Sequence, residues 1–387
     1  MRIVHVLVGR CNPHGANGVD VSVSSLSKSQ AEAGHDVFLF CLTQKECLAI
    51  GGVTVRGFAP CANPFRLPSS LTKAIEEVRP AVVHLHSVYL PQNIRLASHA
   101  RHKAIAYVVS PHGGLSPLVL QRKKVVKKAF NYLFAYSFWA GAAFIHALSE
   151  VEVDHVRLND IRRPIVVAPN GINGTELPDP NTLDGTYLGR LYPQTKGKKI
   201  FMFIGRLDPG FKGLDLLFEA CFKVREALQQ VMFVLVGPDW RGSQSRLEKQ
   251  VMKLGLEQHV IFAGPKYGKE KFDMLAACDV FVQPSRSEAM PFAALEALAM
   301  QKPCLITSST GFGDLFHKYG IGLSVNPSVN EIAEGLRHFA GLTSDTLKAM
   351  GAQSRRAVLQ EFRWERTARL LCQAYQEHGD GHDNTHL

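Results

Sequence analysis

Long apolar runs are missing from this chain of 387 residues, and so are closely spaced cysteine pairs. The aromatic-rich stretch Ala129 to Trp139 is interrupted by Asn131 and Ser137 and falls short of the roughly 20 apolar residues that cross a bilayer, so a spanning helix is not expected. Eight cysteines are scattered with no Cys-x-x-Cys among them, which argues against a zinc site or a disulfide framework and for a reducing cytoplasm. Acidic residues are in deficit, 34 against 44 Lys and Arg, giving a formal charge of +10 and pointing to an anionic partner. Nucleic acid is not expected to be that partner, because the basic run lacks a recognised binding module. No Asp-x-Asp metal motif is present, and the first loop lacks Gly-x-Gly-x-x-Gly. The apolar run in Arg2 to Arg10 is too short for a secretory signal and reads as a first strand.

What the sequence does contain is a regular alternation of strand-like and helical stretches, the pattern of parallel α/β sheets. A first set of strands reads from Ile3 to Val8, Val37 to Leu42, Ala81 to Leu85, Ile105 to Val109, Ala143 to Ala147 and Ile165 to Val167. A helix from about Val21 to Ala33, stopped by Gly34, follows the first strand. A second set runs from Ile200 to Gly205, Val231 to Val236, Val260 to Phe262, Val280 to Val282, Cys304 to Ile306 and Gly322 to Val325. Leu214, Leu217, Phe218, Cys221, Phe222 and Leu228 mark one face of the helix between the first two of these. The length favours two domains, and the stretch between Pro169 and Lys199, rich in turn residues, is their linker. Ligands of such sheets bind beyond the carboxyl ends of the strands.

The most informative segment is Pro284 to Ala299. It places Glu288 in a turn and Glu296 inside the helix that Pro291 would open. Backbone amides around Met290 and Phe292, at the positive end of that helix, would favour a phosphate between the two carboxylates. Earlier in the chain, Gly205-Arg206-Leu207-Asp208 and then Phe211-Lys212-Gly213 lie between a strand end and a helix, where two cations can neutralise a diphosphate. Taken alone, such a pair of cations is better read as solvated surface charge. His84 and His86 end one strand and His112 follows the next. Histidine there can donate to a sugar hydroxyl or carry a proton near neutral pH, and no carboxylate completes a zinc motif with them.

These elements together resemble glycosyltransferase family 4, the retaining enzymes of the two-domain GT-B fold. The likeness rests on Glu288-x7-Glu296 after Pro284-Ser285, on Gly205-Arg206-Leu207 with Lys212-Gly213, on His112, and on the Pro169-Asn170-Gly171-Ile172 turn. It implies two Rossmann-like parallel-sheet domains facing an interdomain cleft. An acceptor-binding domain would span 1–185 and a nucleotide-sugar-binding domain 186–360. Residues 361–387 would be a helix crossing back to the first domain, then a polar tail. The reaction implied is transfer of a sugar from a nucleotide-diphosphate-sugar to an acceptor hydroxyl, without metal or other cofactor. His112 and Glu288 would be catalytic. Gly18, Arg206, Lys212, Ala289, Met290, Pro291, Phe292 and Glu296 would bind the donor. Glu288 would hold sugar hydroxyls and Glu296 the ribose. Ala289-Met290-Pro291 and Gly311-Phe312-Gly313-Asp314 depart from the family's usual residues.

The resemblance also suggests bacterial surface-polysaccharide synthesis on a carbohydrate or lipid-linked acceptor. Arg122 to Trp139, basic and then aromatic, could lie on an anionic inner membrane face, or be a helix with a solvated basic start and a buried end. Alternative activities on the same fold are nucleotide-sugar epimerisation or hydrolysis, and a non-catalytic sugar-nucleotide-binding protein.

Overall fold

The computed structural model describes residues 1–12, 17–122, 124–130, 133–134, 136–174, 176–313 and 315–379. The chain divides into two compact units, Met1–Gly171 with the chain from Phe362 onward, and Ile172–Glu361. That division falls inside the Pro169-to-Lys199 stretch read as the linker and ahead of the 185/186 boundary that the resemblance implied. Residues before 186 are anchored in the second unit: the Asp184 amide donates to the Asp273 carboxylate at 3.1 Å.

The first unit is built on seven strands, β1 (Arg2–Val8), β2 (Asp36–Leu42), β3 (Val53–Phe58), β4 (Val82–His86), β5 (Ala106–Ser110), β6 (Ile145–Ala147) and β7 (Ile165–Val167). They are parallel and lie in the order β3-β2-β1-β4-β5-β6-β7. The chain winds outward from β1 through β3 and then returns to the other side of β1, so the topological switch lies between β1 and β4. Strand β3 has no counterpart in the sequence reading: it is an edge strand, half-exposed and containing Arg56 and Gly57, and its apolar signal is weak.

Strands β1 and β4 alternate apolar and histidine residues, with His5 level with His84. Val4, Val6, Val83 and Leu85 therefore face the apolar core, while His5, His84 and His86 face the opposite layer. That layer includes the helices Gly18–Glu32 and Trp364–Gly379. The Pro169-Asn170-Gly171 turn is a structural joint. Ser22 donates to Asn170 at 2.8 Å, Thr367 donates to the Pro169 carbonyl at 2.7 Å, and a side chain at Gly171 would strike the Trp364 backbone.

The second unit has six strands, β8 (Lys199–Ile204), β9 (Val231–Val236), β10 (Val260–Gly264), β11 (Val280–Gln283), β12 (Cys304–Thr307) and β13 (Gly322–Val325). Their order is β10-β9-β8-β11-β12-β13, all parallel, with the switch between β8 and β11. Phe201, Phe218, Phe233 and Phe339 fill its core. Phe222, read as part of the buried face, is exposed: the helix Leu214–Lys223 stops before Leu228, which is buried from a separate 3₁₀ turn. Of the eight cysteines, Cys11, Cys41, Cys221, Cys278, Cys304 and Cys372 are buried free thiols, and burial holds each of their pKa values above the ordinary one.

Candidate functional site

The switch point of the second sheet brings together the segments leaving β8 and β11, which carry Arg206, Lys212 and Glu288. After β8, Asp208 caps the short helix Pro209–Lys212 by accepting from the Phe211 amide. Gly213 then turns left-handed at φ 65°, so close to the loop after β11 that an added Cβ would lie 1.9 Å from the Pro284 carbonyl oxygen. Arg286 ties the same two loops. Its amide donates to Phe211 O at 2.8 Å, and its guanidinium donates to Pro209 O at 2.8 Å and to both Asp215 oxygens at 2.7 Å. This paired contact with a carboxylate is a geometry that arginine's planar fork makes and lysine's ammonium does not.

Held in this way, the Lys212 ammonium ion-pairs with Glu288 Oε1. The same carboxylate oxygen accepts from Ser285 Oγ at 3.1 Å and lies 3.5 Å from Gln283 Nε2. Thr307 and Ser309 donate to the Ser285 carbonyl, and the Glu288 amide donates to Ser309 O, so the turn is fixed from β12 as well. Arg206 stacks over the Trp240 ring at 4.4 Å. That contact orients its guanidinium without consuming charge.

The helix Phe292–Ala299 begins directly after Ala289-Met290-Pro291, with Pro291 at its cap position and no side chain capping it. Pro291 thus precedes the helix where the sequence reading put it inside. Glu296 lies within this helix and pairs with Lys271 of the neighbouring helix Gly268–Ala276 at 2.7 Å. The sequence reading gave no role to Lys271, Arg286, Asp215, Trp240 or Ser285. Arg286 stands inside the Pro-Ser-x-x-Glu segment, but its partner Asp215 is distant in sequence and only the fold joins them.

Gly18 and His112 belong to the first unit. Gly18 opens the helix Gly18–Glu32, whose cap Asn17 accepts from the Val19 amide at 3.2 Å; Pro13 to Ala16 of that loop lie outside the described residues, as does Asp314. His112 follows β5 in a left-handed conformation, φ 49°. Its loop is anchored by the buried Glu152, which accepts from the Gly113 amide at 2.5 Å and from the Leu148 amide at 2.8 Å. Burial raises the Glu152 pKa, and those two amide bonds oppose the rise. His84 and His86 are fully buried, not open to a cleft, while His112 is half-buried. Burial, with the charge of His146 as a smaller cause, lowers the His112 pKa to about 3.

Two family models match this chain, one described as glycosyl transferase 4-like domain over residues 17–171 and one as glycosyl transferases group 1 over residues 192–356. The chain belongs to glycosyltransferase family 4. Among curated relatives of this family 4 chain is the phosphatidyl-myo-inositol mannosyltransferase of Mycobacterium leprae, 26% identical over 212 residues, covering 54% of this chain and 53% of that one. Spore coat protein SA of Bacillus subtilis is 28% identical over 188 residues, covering 47% and 49%. The family 4 chain thus spans about half the length of these two relatives. Among solved structures, Anabaena HepE in complex with UDP and glucose aligns with TM-score 0.75 at 18% identity, covering 97% of this chain and 100% of that one. A glycosyltransferase from Rickettsia africae aligns with TM-score 0.75 at 17% identity, covering 98% and 99%. Both likenesses are of fold, and the family 4 chain has the two-domain α/β GT-B fold. Among its described residues no helix is long and apolar enough to cross a membrane.

Of the segment Arg122 to Trp139, residues 123, 131, 132 and 135 lie outside the described set. The helix Lys124–Phe130 exposes Val125, and the Lys127 ammonium donates to Val119 O at 2.5 Å.

Proposed function

We propose that this family 4 protein transfers a sugar from a nucleotide-diphosphate-sugar to an acceptor hydroxyl, with retention at the anomeric carbon. The observation that carries the reading is the ion pair of Lys212 with Glu288 at the sheet's switch point, locked by the Arg286 contact with Asp215 and adjoining the start of the helix Phe292–Ala299. A diphosphate between Lys212, Arg206 and that helix start meets two cations and the positive end of a helix dipole. Charge that builds on the departing nucleotide is stabilised there by protein groups fixed in advance. As the diphosphate takes over Lys212, the Glu288 carboxylate becomes an acceptor for sugar hydroxyls near the reacting carbon. Glu296, one to two turns along the helix, accepts from the ribose.

Ala289, Met290, Pro291 and Phe292 supply the backbone around the phosphates. His112 and Gly18 serve the donor from the first unit. The proposed acceptor is carbohydrate or lipid-linked, in surface-polysaccharide synthesis, with peripheral contact at the inner membrane face through Arg122 to Trp139. The named activity of the mycobacterial relative, a phosphatidyl-inositol mannosyltransferase, supports an acceptor of that kind.

The experiment is a thermal-shift screen of nucleotide sugars, since a ligand of the folded state raises its stability by mass action. The donor found is then incubated with and without acceptors. Consumption only with an acceptor supports transfer. Consumption of donor alone replaces it with epimerisation or hydrolysis, and binding without turnover makes the protein a sensor.

A further inference from the structure

Five buried or half-buried histidines, His5, His84, His86, His112 and His146, form one hydrogen-bonded chain with Ser110, Tyr375 and Gln30. One end is fixed because a backbone carbonyl can only accept. Ala168 O lies 2.8 Å from His146 Nε2, so His146 carries its proton on Nε2 and its Nδ1 accepts. Ser110 Oγ, 2.6 Å from that Nδ1, must donate its single proton there, and so it accepts from His84 Nε2 at 2.6 Å. Bare on Nδ1, His84 then accepts from the Tyr375 hydroxyl at 2.6 Å.

A second anchor is Gln30 Oε1, which can only accept; it lies 2.7 Å from His5 Nε2. His5 Nδ1 is therefore bare and accepts from His86 Nε2 at 2.9 Å, and His86 Nδ1 in turn accepts from His112 Nε2 at 2.9 Å. The two halves agree, since Gln30 Nε2 faces the Tyr375 hydroxyl at 3.5 Å as the donor that oxygen has room for. Burial pulls the pKa of every one of these rings down, so all are neutral at pH 7. His5, His84 and His86 each bring one nitrogen within 4.8 Å of the others, a grouping that could hold a metal. Both nitrogens of all three rings are already engaged in the chain.

We propose that this one-directional chain holds His112 as the Nε2–H tautomer, so that its Nδ1 meets a ligand solely as an acceptor. The site at His112 therefore takes a group that donates, such as a sugar hydroxyl, and disfavours one that only accepts, such as a carboxylate. His86, His5 and Gln30 are positioning residues for it. The sugar part rests on the donor placement of His112 proposed above; the tautomer does not. His112 then acts as a hydrogen-bond acceptor, and a proton-carrying role near neutral pH is set aside.

The test is imidazole ¹⁵N NMR on the full chain labelled at histidine, which separates protonated from bare ring nitrogens, with His112→Ala used to assign the signal. All five rings are expected as Nε2–H tautomers. Gln30→Leu, which removes the acceptor at His5, should move a measurable fraction of His112 into the Nδ1–H form. A wild-type His112 carrying its proton on Nδ1, or present as imidazolium at neutral pH, overturns the inference, as does a Gln30→Leu spectrum with His112 unchanged. If the tautomer holds while turnover is indifferent to His112→Ala, the donor placement falls and the tautomer stands.

Discussion

Gly213 and Gly255 share a backbone conformation, φ 65°, but not their surroundings, and this makes them a matched pair for measuring how tightly the two site loops meet. At Gly255 an added Cβ meets nothing within 4 Å, whereas at Gly213 it would lie 1.9 Å from Pro284 O. Placing alanine in the left-handed region costs about 1–2 kcal/mol. Reduced freedom of the unfolded chain returns about 0.4–1 kcal/mol of that. Gly255→Ala should therefore destabilise the second unit by roughly 0–1.6 kcal/mol. Gly213→Ala carries the same backbone cost and must also push a carbonyl aside, an overpacking cost of about 1–3 kcal/mol.

A difference of at least about 1 kcal/mol between the variants is expected in urea unfolding, followed by signals of the second unit. Gly213→Ala alone should also weaken nucleotide-sugar binding, because the displaced loop carries Lys212 away from Glu288. Equal destabilisation by the two variants would mean that the loops do not touch at Pro284, and the geometry built on that contact would fail.

Glu288→Gln should lower turnover by roughly 100-fold or more with the fold retained, since shape is kept and charge removed; initial rates like wild type would exclude Glu288 from the reaction. Lys212→Ala should weaken donor binding by roughly 2–5 kcal/mol, read by calorimetry, and unchanged affinity would remove the cation from the phosphate site. Transfer should persist in excess EDTA, and activity lost to EDTA and restored by magnesium would contradict a site run on Arg206 and Lys212. The buried histidines have folded pKa values below the ordinary 6.5, to about 4 for His5 and His146, so the unfolded chain binds more protons below pH 6.5. The first unit's stability should be intact above pH 6.5 and fall steadily toward pH 4. A urea midpoint for that unit unchanged between pH 7 and 4.5 would refute neutral burial.

Most strands were legible in the sequence because buried parallel strands are nearly continuous apolar runs, as Val231 to Val236 shows, whereas their order in each sheet comes from the structure. Edge strand β3 was not, since half-exposed Val53 to Phe58 alternates like a loop. In the site, Glu288, Arg206 and Lys212 were visible through the motifs in which they stand, since isolated charges of these kinds read as solvated. Arg286 was not, because its work depends on Asp215. The histidines of β4 were read as able to donate to a sugar hydroxyl or carry a proton; the alternation Val-His-Leu-His says only that two faces differ. Which face is covered was decided by Tyr375, nearly three hundred residues away.

That distance bears on how the protein is made. The first unit is discontinuous: it starts at Met1, pauses at Gly171, and resumes at Phe362 after the whole second unit. At about 5–20 residues per second, a ribosome needs roughly 10–40 s to synthesise the intervening segment. Through that interval His84 lacks the hydroxyl that donates to its Nδ1, Gly171 lacks the Trp364 backbone, and the layer over His5 and His84 is incomplete. The second unit, one continuous segment, can close first. A nascent chain arrested just short of Phe362 should therefore hold a folded second unit and a first unit still open to protease, its sheet waiting for the helix Trp364–Gly379 to cover it.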